Sequence, residues 1–307
     1  MRITQRVKKF LTGLEGDNVG TKTNLARLLT EGRLGGSGSI IALAVDQGFS
    51  DGPALSFAQN PRSYDPHYHF QLAVDGQVSA LAAPLGVLES GADTFAGTVP
   101  LILKMNSPGT QSTHYTQGIS GGITASVSDA LRLGCAAIGC TVSSESDSSY
   151  EEIRALIEEA KASGLAVIIW SHPVGGNFSV EGETALDTVA HGAHMAALLG
   201  AHMVCVKVPT NHLEDQERKL FYAKHGISMH TVSDRVRHVR QACFNGRRMV
   251  LFSLSDKESD EEMLEEIRGI RDGGANGCIL GRVSFQRPFD DGLEMLDQVI
   301  KVYQGKA

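Results

Sequence analysis

No stretch of eighteen consecutive apolar residues occurs in the 307-residue chain, so nothing in it reads as a membrane-spanning helix. The basic N-terminal segment MRITQRVKKFLTGLEG lacks the long apolar core of a secretory signal. No polybasic stripe accompanies the net charge of −7, and an acidic chain without one offers no footprint for a nucleic-acid backbone. Cys-x-x-Cys spacing is also missing. The five cysteines, Cys135, Cys140, Cys205, Cys243 and Cys278, are odd in number and lie mostly in apolar segments, which suits reduced, buried thiols of a cytoplasmic protein. The expected partner is therefore a small molecule, with neither membrane nor nucleic acid involved.

What the chain does contain is a repeated short apolar run. IIALAVD (40–46), VSALAAP (78–84), PLILKMN (100–106) and CAAIGCTV (135–142) are followed by LAVIIWS (165–171), MVCVKVP (203–209), RMVLFSL (248–254) and GCILGR (277–282). Their hydrophobicity is continuous rather than alternating, as parallel strands covered on both faces require. Amphipathic stretches intervene, clearest in SYEEIRALIEEAKASG, TALDTVAHGAHMAALLGA, SDRVRHVRQACFNG and DEEMLEEIRGIRDGG, several closed by glycine as helix C-termini are. Eight strand–helix units predict an α/β fold, a (β/α)8 TIM barrel. A doubly wound open sheet would place a Gly-x-Gly-x-x-Gly turn after an early strand, whereas DQGFSDGP follows the first one. Residues 1–36 carry two further helical patterns, RVKKFLTGLEG and TKTNLARLLTEG, and are expected to form an N-terminal extension that caps the barrel bottom or an oligomer contact. Residues 37–307 form the barrel, with no linker inside it.

Barrels of this kind present reactive groups where strands run out into βα loops. The polar residues there are Asp46, Lys104 with Asn106, Cys140, Trp170 with His172, Lys207, Ser253 with Ser255, and Arg282. Strand alternation puts Cys205, Lys207 and Pro209 on one face, Ile168, Trp170 and His172 on one face, and Ala44 with Asp46. Lys207 stands between Val206 and Val208, and an outward ammonium there would be buried under helices without a partner, so it is expected to point into the barrel mouth. Partial desolvation and the proximity of Lys104 favour its neutral amine, the form that attacks carbonyls. Asp46 and His172 are placed to move protons, His172 with an imidazole titrating near neutrality. The plainer alternatives are an ion pair between Lys207 or Lys104 and a carboxylate such as Asp46, and a hydrogen-bonded inner His172. Cys140 reads as core. His67 with His69, and His191 with His194, find no third ligand in sequence reach, so no metal is expected.

These residues also carry a resemblance. IALAVDQGFSDGP, VPLILKMNS, VIIWSHPVGG, VCVKVP and ILGRVSFQR, in that order and each at a strand end, resemble the archaeal-type class I fructose-bisphosphate aldolases across roughly residues 36–300. The resemblance implies that Lys207 forms the Schiff base, that Asp46 assists acid/base steps, that Lys104 and Trp170 line the site, and that Gly281 and Arg282 bind phosphate. Three departures stand out. His172 replaces the family's tyrosine proton donor, with Val174 in place of the arginine in the same motif. Ser253, Leu254 and Ser255 stand where the family reads Ser-Gly-Gly at a substrate-binding turn. Ser50 and Asp51 occupy the first loop, where a carboxylate is expected to repel phosphate.

The implied activity is a cofactor-free aldol lyase acting on a ketose phosphate, by default fructose 1,6-bisphosphate, in glycolysis or gluconeogenesis. A transaldolase-like or thiolase-like transferase acting on another ketone is a second reading, and a catalytically degenerate binding or structural oligomer is a third. The family also implies a homo-oligomer.

Overall fold

Each of the eight apolar runs forms a parallel strand, trimmed by a residue or two at its ends: β1 (Ile40–Ala44), β2 (Ala80–Pro84), β3 (Leu101–Lys104), β4 (Ala137–Val142), β5 (Ala166–Ser171), β6 (Met203–Lys207), β7 (Met249–Ser253) and β8 (Gly277–Leu280). The computed structural model describes residues 3–107, 122–142, 150–172, 179–254, 257 and 259–306. Each strand pairs with its sequence neighbours, and β8 returns to β1 to close a barrel, with Ile40 opposite Gly277. Only glycine fits that junction: Gly277 has φ 145°, and a Cβ there would stand 1.8 Å from the Ile40 carbonyl oxygen. A two-residue antiparallel ribbon, Asn106–Ser107 with Gly122–Ile123, follows β3 and was not foreshadowed in the sequence.

Strand alternation divides the apolar residues into two layers. One parity, including Leu43, Leu81, Leu103, Ile138, Val204 and Phe252, packs outward under the helices. The other, including Ala42, Ala82, Ile102, Ile168, Cys205 and Leu251, fills the barrel interior. The helices lie where the amphipathic patterns place them, as at Tyr150–Ala162, Leu186–Leu198, Val232–Ala242 and Asp260–Asp272. A further helix at Gln216–Lys224 has no buried residue, which explains why its sequence shows no apolar stripe.

The N-terminal residues form α1 (Gln5–Thr12) and α2 (Val19–Thr30), capped by the side chains of Thr4 and Asn18. Val7, Leu14, Leu25, Leu28 and Leu29 from this segment join the interior cluster. Asn18 and Asn24 donate to the carbonyls of Lys161 and Gly164, just before β5 begins. The two helices thus close the end of the barrel where strands start and leave the opposite mouth for chemistry. All five cysteines are buried and unpaired with one another. Among the described residues no helix is long and apolar enough to cross a membrane.

Candidate active site

Lys104 ends β3 opposite Gly139 of β4, with the same inward parity as Ile102. Its ammonium meets Asp46 Oδ2 at 2.9 Å, donates to Thr141 Oγ1 at 2.9 Å, and lies 3.7 Å from the centroid of the Trp170 ring. Gly139 makes this stack possible, because a Cβ there would come within 2.5 Å of the indole. Asn106 braces the same strand end by a reciprocal pair of 2.7 Å hydrogen bonds to the backbone of Thr141.

Lys207 ends β6 opposite Ser253 of β7. Its Nζ lies 3.4 Å from Glu183 Oε2. The two lysines differ in access: the Lys104 side chain is 2% exposed and that of Lys207 33%, so Lys207 is the amine a ligand in the mouth can reach. The plainer expectation allowed either lysine to pair with a carboxylate such as Asp46: Lys104 does so, and Glu183 is the carboxylate beside Lys207.

Glu183 was not singled out in the sequence. It sits on a single 3₁₀ turn, Gly182–Thr184, in the loop after β5. That loop is fixed by backbone and carboxylate contacts: Thr210 N–H donates to the Thr184 carbonyl, Ser179 donates from N–H and Oγ to Glu214, and buried Asp187 accepts from the N–H groups of Glu214 and Asp215. The acidic pair in VEGET was the available signal, although nothing local says which carboxylate turns toward β6.

His172 follows β5, its N–H bonded to the Val142 carbonyl at 3.0 Å. Its Nε2 lies 3.4 Å from Ser253 Oγ, which in turn is 3.0 Å from Cys205 Sγ. Burial, then the charges of Lys104 and Lys207, push the imidazole down to about 4, with Asp46 acting in the opposite direction. The expectation of an imidazole titrating near neutrality is therefore corrected: desolvation and two cations keep it neutral. Through Ser253, the register partner of Lys207, His172 stands beside the end of β6.

Gly281 and Arg282 lie beyond β8, where Gly281 precedes the short helix Arg282–Phe285. Arg282 Nη1 is 2.7 Å from Asp51 Oδ2. Asp51, expected to act by repelling phosphate, is paired with the Arg282 guanidinium. Trp170 is 3% exposed, with Lys104 against its ring. Ser255 and Val174 lie outside the described residues. His69, one of the histidines weighed as a ligand, is buried among Phe57, Tyr68 and Phe285, with Nε2 on the Ser63 carbonyl.

The chain is similar to known aldolases. The sequence profile of the DeoC/LacD family of aldolases matches residues 40–287. The probable fructose-bisphosphate aldolase class 1 of Chlamydia muridarum is 31% identical over 297 residues, covering 91% of this chain and 83% of that protein. The fructose-bisphosphate aldolase class 1 of Thermoproteus tenax is 32% identical over 254 residues, covering 81% of this chain and 84% of its own. The structure of an archaeal fructose-1,6-bisphosphate aldolase, with its catalytic lysine covalently bound to the carbinolamine intermediate of the substrate, superposes with a TM-score of 0.71 at 26% identity, over 97% of this chain and 99% of that one. With its closed barrel, its strand-end lysines and a profile match across eight strands, the chain belongs to the DeoC/LacD aldolase family.

Proposed function

We propose that the protein is a class I aldolase that forms an imine through Lys207 and cleaves, or in reverse joins, a carbon–carbon bond of a ketose phosphate. Fructose 1,6-bisphosphate, giving dihydroxyacetone phosphate and glyceraldehyde 3-phosphate, is the substrate suggested by the relatives' names. The observation carrying this reading is the accessible Lys207 amine with Glu183 at 3.4 Å, in a mouth that also holds His172 and the Lys104–Asp46 pair.

The chemistry follows from these placements. Glu183 accepts a proton from the Lys207 ammonium, and the freed amine attacks the substrate carbonyl carbon. The nitrogen passes a proton to the former carbonyl oxygen, giving a carbinolamine. Glu183 returns its proton to that hydroxyl, which leaves as water, and the protonated imine remains. Neutral His172 then takes the proton of the hydroxyl on the second carbon beyond the imine. The bond between that carbon and its neighbour breaks, its electrons flow into the imine to form an enamine, and the aldehyde departs. His172 gives its proton to the enamine carbon, and hydrolysis releases the second product and Lys207. Lys104 and Asp46 present fixed charge to the substrate hydroxyls, and Lys104 also repels protons from His172. Ser253 orients the imidazole, while Trp170 holds Lys104 in place.

Phosphate is read by Gly281, Arg282 and Ser255 at the ends of β7 and β8. We place the enzyme in the cytoplasm, in glycolysis or gluconeogenesis, as a homo-oligomer that uses no cofactor. Borohydride reduction in the presence of fructose 1,6-bisphosphate, followed by peptide mass spectrometry, tests the reading. An adduct is expected on Lys207, and its absence with this substrate, dihydroxyacetone phosphate and simpler ketones alike sinks it.

A further inference from the structure

At the opposite end of the barrel, where strands begin, the α1–α2 loop meets the start of β5, β6 and β7 around a cavity of about 510 Å³. Three cationic side chains line it: Lys161 from the end of helix Tyr150–Ala162, and Arg247 and Arg248 immediately before β7. The lining carboxylates are Glu15 and Asp17. Asp17 is engaged, its side chain 6% exposed with His202 Nε2 at 3.1 Å and Lys161 Nζ at 3.5 Å. These contacts hold its carboxyl down at about 2, against the opposing effect of burial, so it stays charged. His202, fully buried, uses Nδ1 to accept from the Val167 N–H.

The two arginines remain. Among the described residues neither makes a side-chain hydrogen bond or an ion pair within 4.0 Å; Arg248 has the Phe244 ring beneath its guanidinium at 5.8 Å, and its charge acts on Asp17 from beyond ion-pair distance. Arg248 Nε is buried and has no hydrogen-bond acceptor. A buried donor left without an acceptor costs stability, and Arg248 lines the cavity beside Arg247. In a chain of net charge −7, two adjacent unpaired guanidinia beside a cavity of small-ligand size form a local reversal of sign.

We propose that this basal cavity is a binding site for a small, multivalent phosphate-bearing anion, held by Arg247 and Arg248 with Lys161 as a third cation. Guanidinium groups bind phosphate oxygens bidentately through their paired N–H groups. The anion bridges the α1–α2 loop to the barrel floor, far from the mouth that carries Lys207 and Arg282. The site is independent of the imine chemistry.

The test is calorimetric titration of the full-length protein with inorganic pyrophosphate at low ionic strength, comparing the native chain with Arg247→Glu, Arg248→Gln and Arg282→Ala. The expected result is a binding component weakened about tenfold or more by either basal change and retained in Arg282→Ala. Arg247 is exposed, so Arg247→Glu, checked by circular dichroism, gives an answer even where Arg248→Gln folds poorly. No binding to the native chain up to about 10 mM overturns the proposal. So does binding that survives Arg247→Glu, or binding that only Arg282→Ala removes.

Discussion

Lys104 and Lys207 end strands of the same inward parity, yet each keeps its own carboxylate: Asp46 at 2.9 Å for the first and Glu183 at 3.4 Å for the second. The sealed lysine is fixed by Asp46, Thr141 and Trp170 together, whereas the accessible one has, among the described residues, one loose carboxylate contact. The division predicts different losses. Lys207→Ala should lower kcat by roughly 10⁴-fold or more and abolish the borohydride-dependent adduct. Lys104→Met should lower kcat while the adduct on Lys207 persists, which mass spectrometry of the trapped protein distinguishes.

Glu183 is expected to govern imine formation rather than substrate affinity. Glu183→Gln should slow the single-turnover appearance of trapped imine by about 10²-fold, within the range of general acid–base catalysis, and leave KM little changed. Glu183→Asp, which keeps the proton-transfer group on a shorter arm, should recover part of the rate. Equal slowing by both variants, together with a raised KM, would mean that Glu183 only shapes the mouth.

Asp46→Asn leaves the buried Lys104 ammonium an amide oxygen, a hydroxyl and a ring, but no opposing charge. Removing one partner of a buried ion pair costs about 3 kcal/mol, more than the pair itself contributes. Urea unfolding should show that loss. Lys104→Met should cost less, because the Asp46 side chain, 25% exposed, can be solvated once alone.

Acid stability should depend on His69, which burial pushes down to about 4 from the ordinary 6.5. Between those values the unfolded chain holds the extra proton, so stability is full above pH 6.5 and falls as the pH drops toward 4, by about 3 kcal/mol from this one group. His69→Gln, able to donate to the Ser63 carbonyl without titrating, should flatten that slope in urea denaturation at stepped pH.

Asp51→Asn should free Arg282. With its 2.7 Å partner neutralised, the guanidinium is available to phosphate, and KM for fructose 1,6-bisphosphate should fall about threefold to tenfold, with no change for an unphosphorylated ketone. An unchanged ratio between the two substrates would place the phosphate elsewhere.

The strands were legible in the sequence because a parallel barrel buries both faces, and residues such as Val204, Cys205 and Val206 must all be apolar whichever way they point. The inward course of Lys207 was legible for the same reason, since its flanking valines exclude the alternative. Partner choice was not. Asp46 could serve Lys104 or Lys207, and only the stack of Lys104 on Trp170, allowed by Gly139, decides between them. Arg282 meets Asp51 across 231 residues, and Glu183 reaches Lys207 from an irregular loop with no periodicity to mark it. The depressed titration of His172 comes first from burial and then from two lysines on other strands, so local sequence could not reveal it.

The interior layer is lopsided. β1 and β2 contribute Ala42, Ala44, Ala80 and Ala82, while β5 to β7 contribute Ile168, Trp170, Met203, Met249 and Leu251. Strand number fixes the cross-section of a closed barrel, so the small wall and the large wall share one volume. Enlarging an alanine on one side is tolerated only with a matching reduction on the other, which makes substitutions such as Ala82→Val and Trp170→Phe epistatic. Sequence drift in this interior is consequently a correlated walk, and the size of Trp170 is tied first to Gly139, whose missing side chain makes room for the indole.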